Sequence, residues 1–161
     1  MVLSLYLLTL DCLCSHWNIA CVLCDHQQVH LEQIPRRLRK LHLSGLNYDM
    51  RPGATVVQIE ETEQRLKLQF CGRVASLWSL MDGLEVQDPP FQLLPLSDLT
   101  LENGLVVFAT CNGIERLALD TRSINVAGEW DIVNPDTGYR LTLTIGSFWS
   151  MHLCASTGPG S

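Results

Sequence analysis

The sequence carries little positive charge. Its 11 lysine and arginine residues are outnumbered by 17 aspartate and glutamate residues, and the formal net charge is -6 at pH 7. Nucleic-acid binding depends on basic side chains that neutralise phosphates. Because an acidic protein has no such general attraction, the composition indicates that nucleic acid is not the partner.

The sequence also lacks long apolar runs and glycosylation sequons. Its number of cysteines is odd. The mostly apolar stretch at residues 1–10 is far shorter than the roughly 20 residues of a membrane-spanning helix, and no basic region precedes it as in a secretory signal. Seven cysteines cannot all pair with one another. These features predict an intracellular protein, cytoplasmic or nuclear, with no membrane span.

Motifs for catalysis are absent from the sequence. It has no glycine-rich dinucleotide fingerprint, no P-loop, no His-Glu-x-x-His and no Gly-x-Ser-x-Gly. Cys111 lies beside a predicted turn, but a nucleophile needs a neighbouring base and the sequence assigns none. Glu60, Glu61 and Glu63 also cluster at a predicted turn, where solvated carboxylates are common. We therefore predict that the protein is not an enzyme.

Apolar residues are plentiful enough to build a core. They make up 47% of the 161 residues, and charged residues make up 17%, which is typical of a globular protein. A chain of this length fits one domain. We expect residues 1–155 to form a single globular domain and the small, polar residues 156–161 to form a disordered tail.

Alternation of apolar and polar residues predicts several β-hairpins, since successive side chains of a strand point to opposite faces of its sheet. Asn112-Gly113 and Pro135-Asp136-Thr137-Gly138 supply two of the turns. A further strand is predicted at Val2–Leu10. The predicted hairpins cover Trp17–Ile34, Thr55–Phe70, Leu105–Asp120 and Glu129–Ile145.

Helical spacing is found in two segments. Gly72–Leu84 has an apolar stripe that is typical of either a core or an interface helix, and Pro35–Leu43 is predicted to form a short helix that Gly45 ends. Pro89-Pro90 is predicted to lie in a rigid connection. The fold class is therefore α+β or mainly β, with antiparallel hairpins forming one or two sheets and one or two short helices.

The N-terminal cysteines and histidines allow two interpretations. Cys21-x2-Cys24, with His26 and His30, has the ligand types and spacing of a zinc site. Alternatively, the segment is a strand, in which Cys21 and Cys24 point to opposite faces and buried cysteines act as small apolar residues. The first interpretation implies bound zinc, and the second implies no cofactor.

Partner contacts are predicted at one basic cluster and one tryptophan. Arg36, Arg37, Arg39 and Lys40 form the only dense group of positive charges, suited to an acidic protein or another anionic group. Trp149 is predicted to be a core or interface anchor. The alternative for the basic cluster is a solvated helix face.

Short segments resemble two known families. One set is similar to the N-terminal cap of extracellular leucine-rich repeat proteins, which implies a cap on a repeat stack, although no repeats follow: Cys12-x-Cys14, Cys21, Leu31-x-x-Ile34-Pro35-x-x-Leu38 and Leu41-x-Leu43. A second set resembles the dUTPase fold in its order along the chain: Leu46–Met50, Gly72–Ala75, Ser97-Asp98 and Gly104–Phe108. The phosphate-binding Arg-Ser-Gly motif of dUTPases is absent after Ala75, so this resemblance implies a catalytically inactive relative used for binding.

The sequence as a whole favours a non-enzymatic protein–protein interaction module, an adaptor or subunit of a larger assembly. Its partner is expected to be another protein or a second copy of the chain. The alternatives are a zinc-stabilised regulatory protein and a degenerate dUTPase-like fold used for binding.

Overall fold

An antiparallel sheet with several short helices makes up the structure. This computed structural model describes residues 31–43, 45–71, 73–88, 90–142 and 144–149. A turn of 3-10 helix, Leu31–Gln33, leads into α1, and a second such turn covers Leu96–Asp98. A helical segment covers residues 145–149. The other helices are α1, Ile34–Leu43, α2, Val56–Leu66, and α3, Val74–Leu80.

The sheet has eight strands in the described part of the chain, and every neighbouring pair is antiparallel. Their spatial order is β1-β2-β3-β5-β6-β7-β8, and β4 pairs with β5 beside β3. These findings confirm the predicted fold class. The strands are β1, Tyr48–Met50, β2, Leu84–Gln87, β3, Pro90–Leu93, β4, Thr100–Glu102, β5, Leu105–Cys111, β6, Glu115–Asp120, β7, Asp131–Val133, and β8, Arg140–Thr142.

Two of the predicted hairpins are confirmed in position. The one predicted at Glu129–Ile145 is shorter than expected, because β8 ends at Thr142 and Ile145 lies in the helical segment at residues 145–149. The strands β5 and β6 join through a loop of Asn112, Gly113 and Ile114, in which Asn112 and Gly113 have positive φ. The strands β7 and β8 join through the predicted Pro135–Gly138 turn, where the Asn134 side chain accepts from the Asp136 amide at 2.9 Å. The residue types at these two turns therefore fixed where the two hairpins reverse direction.

The hairpin predicted at Thr55–Phe70 is wrong, because Val56–Leu66 forms α2. A capping box begins this helix: the Gln58 amide donates to the Thr55 hydroxyl at 3.2 Å, and the Thr55 amide donates to the Gln58 side chain at 2.8 Å. Lys67 ends it in the left-handed conformation, with φ of 55°. The apparent alternation after Leu66 belongs to the segment that follows the helix.

The helix predicted at Gly72–Leu84 is shorter than expected. It ends at Leu80, and Leu84 begins β2. The expected rigid connection also contains a strand, because Pro90 pairs with Gln87 as the first residue of β3, a strand position where proline is tolerated. Both corrections come from the β2–β3 hairpin, which lacks a glycine-based turn signal.

The core lies between the helices and one face of the sheet. Trp78 of α3 stacks on Phe70 and meets Phe108 of β5 edge to face. Phe148, in the segment 145–149, also meets Phe108 edge to face. The buried sheet residues include Leu84, Val86, Phe91, Leu93, Leu117, Leu119 and Ile132.

Several predictions fall on other parts of the chain. The strand Val2–Leu10, the first 14 residues of the predicted Trp17–Ile34 hairpin and the tail at 156–161 lie outside the described residues. The end of that hairpin is corrected, because Leu31–Gln33 is a 3-10 turn and Ile34 begins α1. Among the described residues, no helix is long and apolar enough to cross a membrane.

Candidate functional site

The outward face of α1 is the main candidate site. Arg36, Arg39 and Lys40 are exposed, and the Leu43 side chain is 88% exposed. Their spacing is i, i+3, i+4 and i+7, which places all four on one side of a helix. We call these four residues the α1 basic surface. It joins three positive charges to one exposed apolar side chain.

Core packing fixes the orientation of this surface. Ile34 and Leu38, on the opposite side of α1, are fully buried. At the end of the helix the His42 ring lies 3.0 Å from the Leu46 carbonyl oxygen, and the Gly45 amide donates to the His42 carbonyl. The helix prediction for Pro35–Leu43 is thus confirmed, with Ile34 as its first residue. The α1 basic surface is presented by an anchored helix.

No acidic side chain in the described part of the chain forms an ion pair with either arginine of the α1 basic surface. The ion pairs among the described residues all lie on or beside strands β6, β7 and β8, and none of them involves Arg36 or Arg39. Arginines at i and i+3 repel one another slightly. An anionic partner would remove this repulsion and gain charge-assisted hydrogen bonds from both guanidinium groups.

A cleft lies between the 3-10 turn Leu31–Gln33 and α3. Its volume is about 270 Å³. It combines one acidic and one basic side chain, two serines and two leucines: Leu31, Glu32, Arg73, Ser76, Ser79 and Leu80. The mixed lining suits contact with a peptide side chain better than binding of an apolar small molecule.

The other predicted partner residues are placed differently. The backbone of Arg37 lies in α1. Trp149 is fully buried and meets Phe91 edge to face, with ring centroids 5.4 Å apart. This position does not fit a surface contact, so Trp149 is treated below as a core residue.

The predicted zinc ligands, Cys21, Cys24, His26 and His30, lie outside the described residues. In the part of the chain that is described, no group of three or more His, Cys, Asp or Glu side chains could hold a metal ion. That finding does not bear on the N-terminal residues. Zinc at this position stays a prediction.

The thiol of Cys111 is buried, and burial raises its pKa to about 12, with Glu115 adding a smaller effect of the same sign. Because the thiolate is the nucleophilic form, this cysteine is poorly suited to react at neutral pH. Cys71 is half-buried, and burial raises the pKa of its thiol too. Neither thiol forms a disulfide.

The three clustered glutamates lie on α2 rather than at a turn, which corrects their predicted setting. The Glu63 carboxylate accepts from the Phe70 amide at 2.7 Å, so it ties down the segment after the helix. Glu60 and Glu61 are exposed. With Val57, which is 60% exposed, and the exposed Gln64, they define what we call the α2 acidic face.

Sequence reasoning missed the α2 acidic face. Its residues repeat at i, i+3, i+4 and i+7, opposite the buried stripe Ile59, Thr62 and Leu66. The signal that could have revealed it is the capping box, Thr55-x-x-Gln58, which marks the start of a helix.

Comparison with known proteins assigns no family. No protein-family model matches the chain. No curated protein matches its sequence significantly. The resemblances to leucine-rich repeat caps and to dUTPases therefore rest on their short segments alone.

Proposed function

We propose that this protein is a non-enzymatic protein-interaction module that binds an acidic segment of a partner through the α1 basic surface. One observation carries the proposal. An anchored helix presents Arg36, Arg39, Lys40 and the 88% exposed Leu43 on a single face. Arginine is enriched in protein interfaces, and an exposed apolar side chain among charges supplies area that a partner can bury.

A protein partner accounts for this surface better than a nucleic acid does. The chain as a whole carries a net charge of -6, which opposes the approach of a long polyanion. A short acidic peptide experiences mainly the local charges, since salt screens charges beyond about 8 Å at physiological ionic strength. Leu43 adds an apolar contact that a phosphate backbone would not use.

The chemistry of the thiols supports a reducing, intracellular setting as part of this proposal. Cys71 and Cys111 are both free, and the total of seven cysteines is odd. Persistent disulfides belong to oxidising compartments. We infer that the module acts where its thiols stay reduced.

Fluorescence anisotropy with two labelled peptides tests the proposed function. One peptide is rich in glutamate and leucine, and the other has serine in place of leucine. We expect the leucine peptide to bind more tightly, and Arg39→Glu to weaken its binding roughly tenfold or more. The Leu43→Ser variant should lose the preference for the leucine peptide.

Arg51→Glu is the matched control, because Arg51 is exposed and lies outside α1. If Arg39→Glu and Arg51→Glu weaken peptide binding equally, the peptide is attracted by the overall charge of the protein and not by the α1 basic surface. A labelled single-stranded oligonucleotide and anionic lipid vesicles serve as competing ligands. Tighter binding of either one than of the peptides would contradict the proposal.

A further inference from the structure

The α1 basic surface and the α2 acidic face have the same helical spacing. Both consist of residues at i, i+3, i+4 and i+7, and both lie opposite a buried stripe of their own helix. Each set therefore covers about 10 Å of helix length. Two helices that carry such sets can align along their whole exposed faces.

Antiparallel alignment brings complementary residues together. With the two helices running in opposite directions, Leu43 meets Val57, and Arg36 meets Gln64. Lys40 and Arg39 then meet Glu60 and Glu61. Two ion pairs at the centre are flanked by an apolar contact on one side and a polar contact on the other. Parallel alignment would place the apolar Leu43 against the polar Gln64, and the charged Arg36 against the apolar Val57. The residues at both ends of the contact would then be chemically mismatched.

In the described part of the chain, the side chains of both faces are exposed to solvent in a single copy of the protein. The three charged residues of α1 and the two glutamates of α2 are exposed, as are Leu43 and Val57. The faces are thus not in contact with one another inside the chain. Another molecule is needed to bring them together.

We propose that the α1 basic surface of one copy docks antiparallel on the α2 acidic face of a second copy. This inference rests on the proposed function, because it names the partner of the same surface. The contact is heterologous, since two different patches meet, so repeated contacts build a ring or an open chain of copies. One pair of helix faces buries little area, which is typical of weak, reversible association.

Sedimentation velocity of the full chain under reducing conditions tests this inference. The protein is measured from about 1 µM to about 1 mM, the range of dissociation constants expected for a small charged interface. We expect the average mass to rise with protein concentration and to fall with added salt. Arg39→Glu with Lys40→Glu should give a monomer. Glu60→Lys with Glu61→Lys should also give a monomer.

Mixing the two monomeric variants is the decisive step. The first variant has two acidic faces and the second has two basic faces, so neither pairs with itself but each pairs with the other. We expect the mixture to regain the assembly of the unmodified chain. A chain that carries all four substitutions should also self-associate, which an incorrectly folded variant would not do.

Glu102→Lys with Glu115→Lys is the matched control. Both residues are exposed and lie on strands, so this variant has the charge of the α2 variant with both helices unchanged. We expect it to self-associate as the unmodified chain does, and loss of association in it would overturn the inference. Failure of the mixture to reassemble would overturn it as well.

The outcomes also separate this inference from the proposed function. An unmodified chain that stays monomeric at low salt but binds the glutamate-leucine peptide overturns self-association alone. A chain that neither associates nor binds the peptide overturns both.

Discussion

Arg65 Nη1 lies 2.8 Å from the carbonyl oxygen of Leu99, which is 34 residues further along the chain. The second terminal nitrogen, Nη2, donates to the carbonyl oxygen of Leu96 at 2.7 Å. One guanidinium group thereby ties the last turn of α2 to the Leu96–Asp98 turn. This link helps to hold the α2 acidic face in place relative to the sheet.

Replacing Arg65 by methionine is expected to lower the free energy of unfolding by about 2 kcal/mol, because two partly buried carbonyl groups lose charge-assisted hydrogen bonds. Arg65→Lys should cost about half as much, since an ammonium group keeps the charge but lacks the planar fork that reaches both oxygens. Urea unfolding of the three proteins measures this. Equal stability of the methionine variant and the unmodified protein would show that water replaces the guanidinium group.

Gly53 is expected to tolerate no side chain. A Cβ atom built at this position lies 1.9 Å from the Ser79 carbonyl oxygen, a backbone atom that cannot rotate away. Gly53→Ala should therefore cost about 3 kcal/mol or prevent folding. Gly113→Ala is the comparison, because its Cβ meets nothing within 4 Å and only its positive φ of 70° opposes the change, at about 1 kcal/mol. Thermal unfolding ranks the two variants, and the reverse order would contradict this view.

Cys111 is expected to resist alkylation in the folded protein. Burial raises the pKa of its thiol from 9.0 to about 12, so the reactive thiolate is scarce at neutral pH. Iodoacetamide labelling followed by peptide mass mapping should show modification of the half-buried Cys71 before Cys111. Early modification of Cys111 without unfolding would contradict the buried position.

The same pKa shift predicts a loss of stability at high pH. A group whose pKa is raised by folding contributes stability below its unfolded value, and that contribution is lost as the pH rises towards the folded value. The loss should fall between about pH 9 and about pH 12. Because other groups titrate in this range, the measured quantity is the difference in unfolding free energy between the unmodified protein and Cys111→Ala. A difference that is constant with pH would count against the shift.

Asp120 and Asp131 occupy directly opposed positions on β6 and β7, where like charges are unfavourable. Arg122 donates two hydrogen bonds to the Asp120 carboxylate, at 2.8 and 2.7 Å, and they lower the pKa of this carboxyl group below its usual 3.8. Arg140 pairs with Asp131 at 3.3 Å. Each of the two carboxylates is therefore paired with its own arginine.

Arg122→Gln is expected to destabilise the protein at neutral pH and to raise the pKa of Asp120. A lowered pKa contributes stability above the unfolded value, which is lost as the pH falls through the folded value. The stability difference between Arg122→Gln and the unmodified protein should thus shrink in acid. NMR titration of the Asp120 side-chain carbon measures the pKa directly, and an unchanged pKa in the variant would contradict this prediction.

The elements whose signals are local could be predicted from the sequence. Asn112-Gly113 and Pro135–Gly138 placed two hairpins because each turn needs particular backbone angles that few residues adopt easily. Pro35 and Gly45 marked the limits of the helix that became α1, which begins one residue earlier, at Ile34. The capping box at Thr55 and Gln58 carried a local signal of the same kind for α2, although the alternation over Leu66, Leu68 and Phe70 favoured a strand.

Which apolar residues are buried in the core, and which helix faces are exposed to solvent, depends on the packing of elements that are distant in sequence. Leu38 is buried and Leu43 is 88% exposed, although both are leucines of one short helix. Trp149 enters the core because Phe91 and Phe148 pack around it. Burial depends on which elements meet in space, and strand pairing such as that of β3 with β5 joins residues distant in sequence. A helical repeat shows which residues share a face, whereas packing decides whether that face is covered.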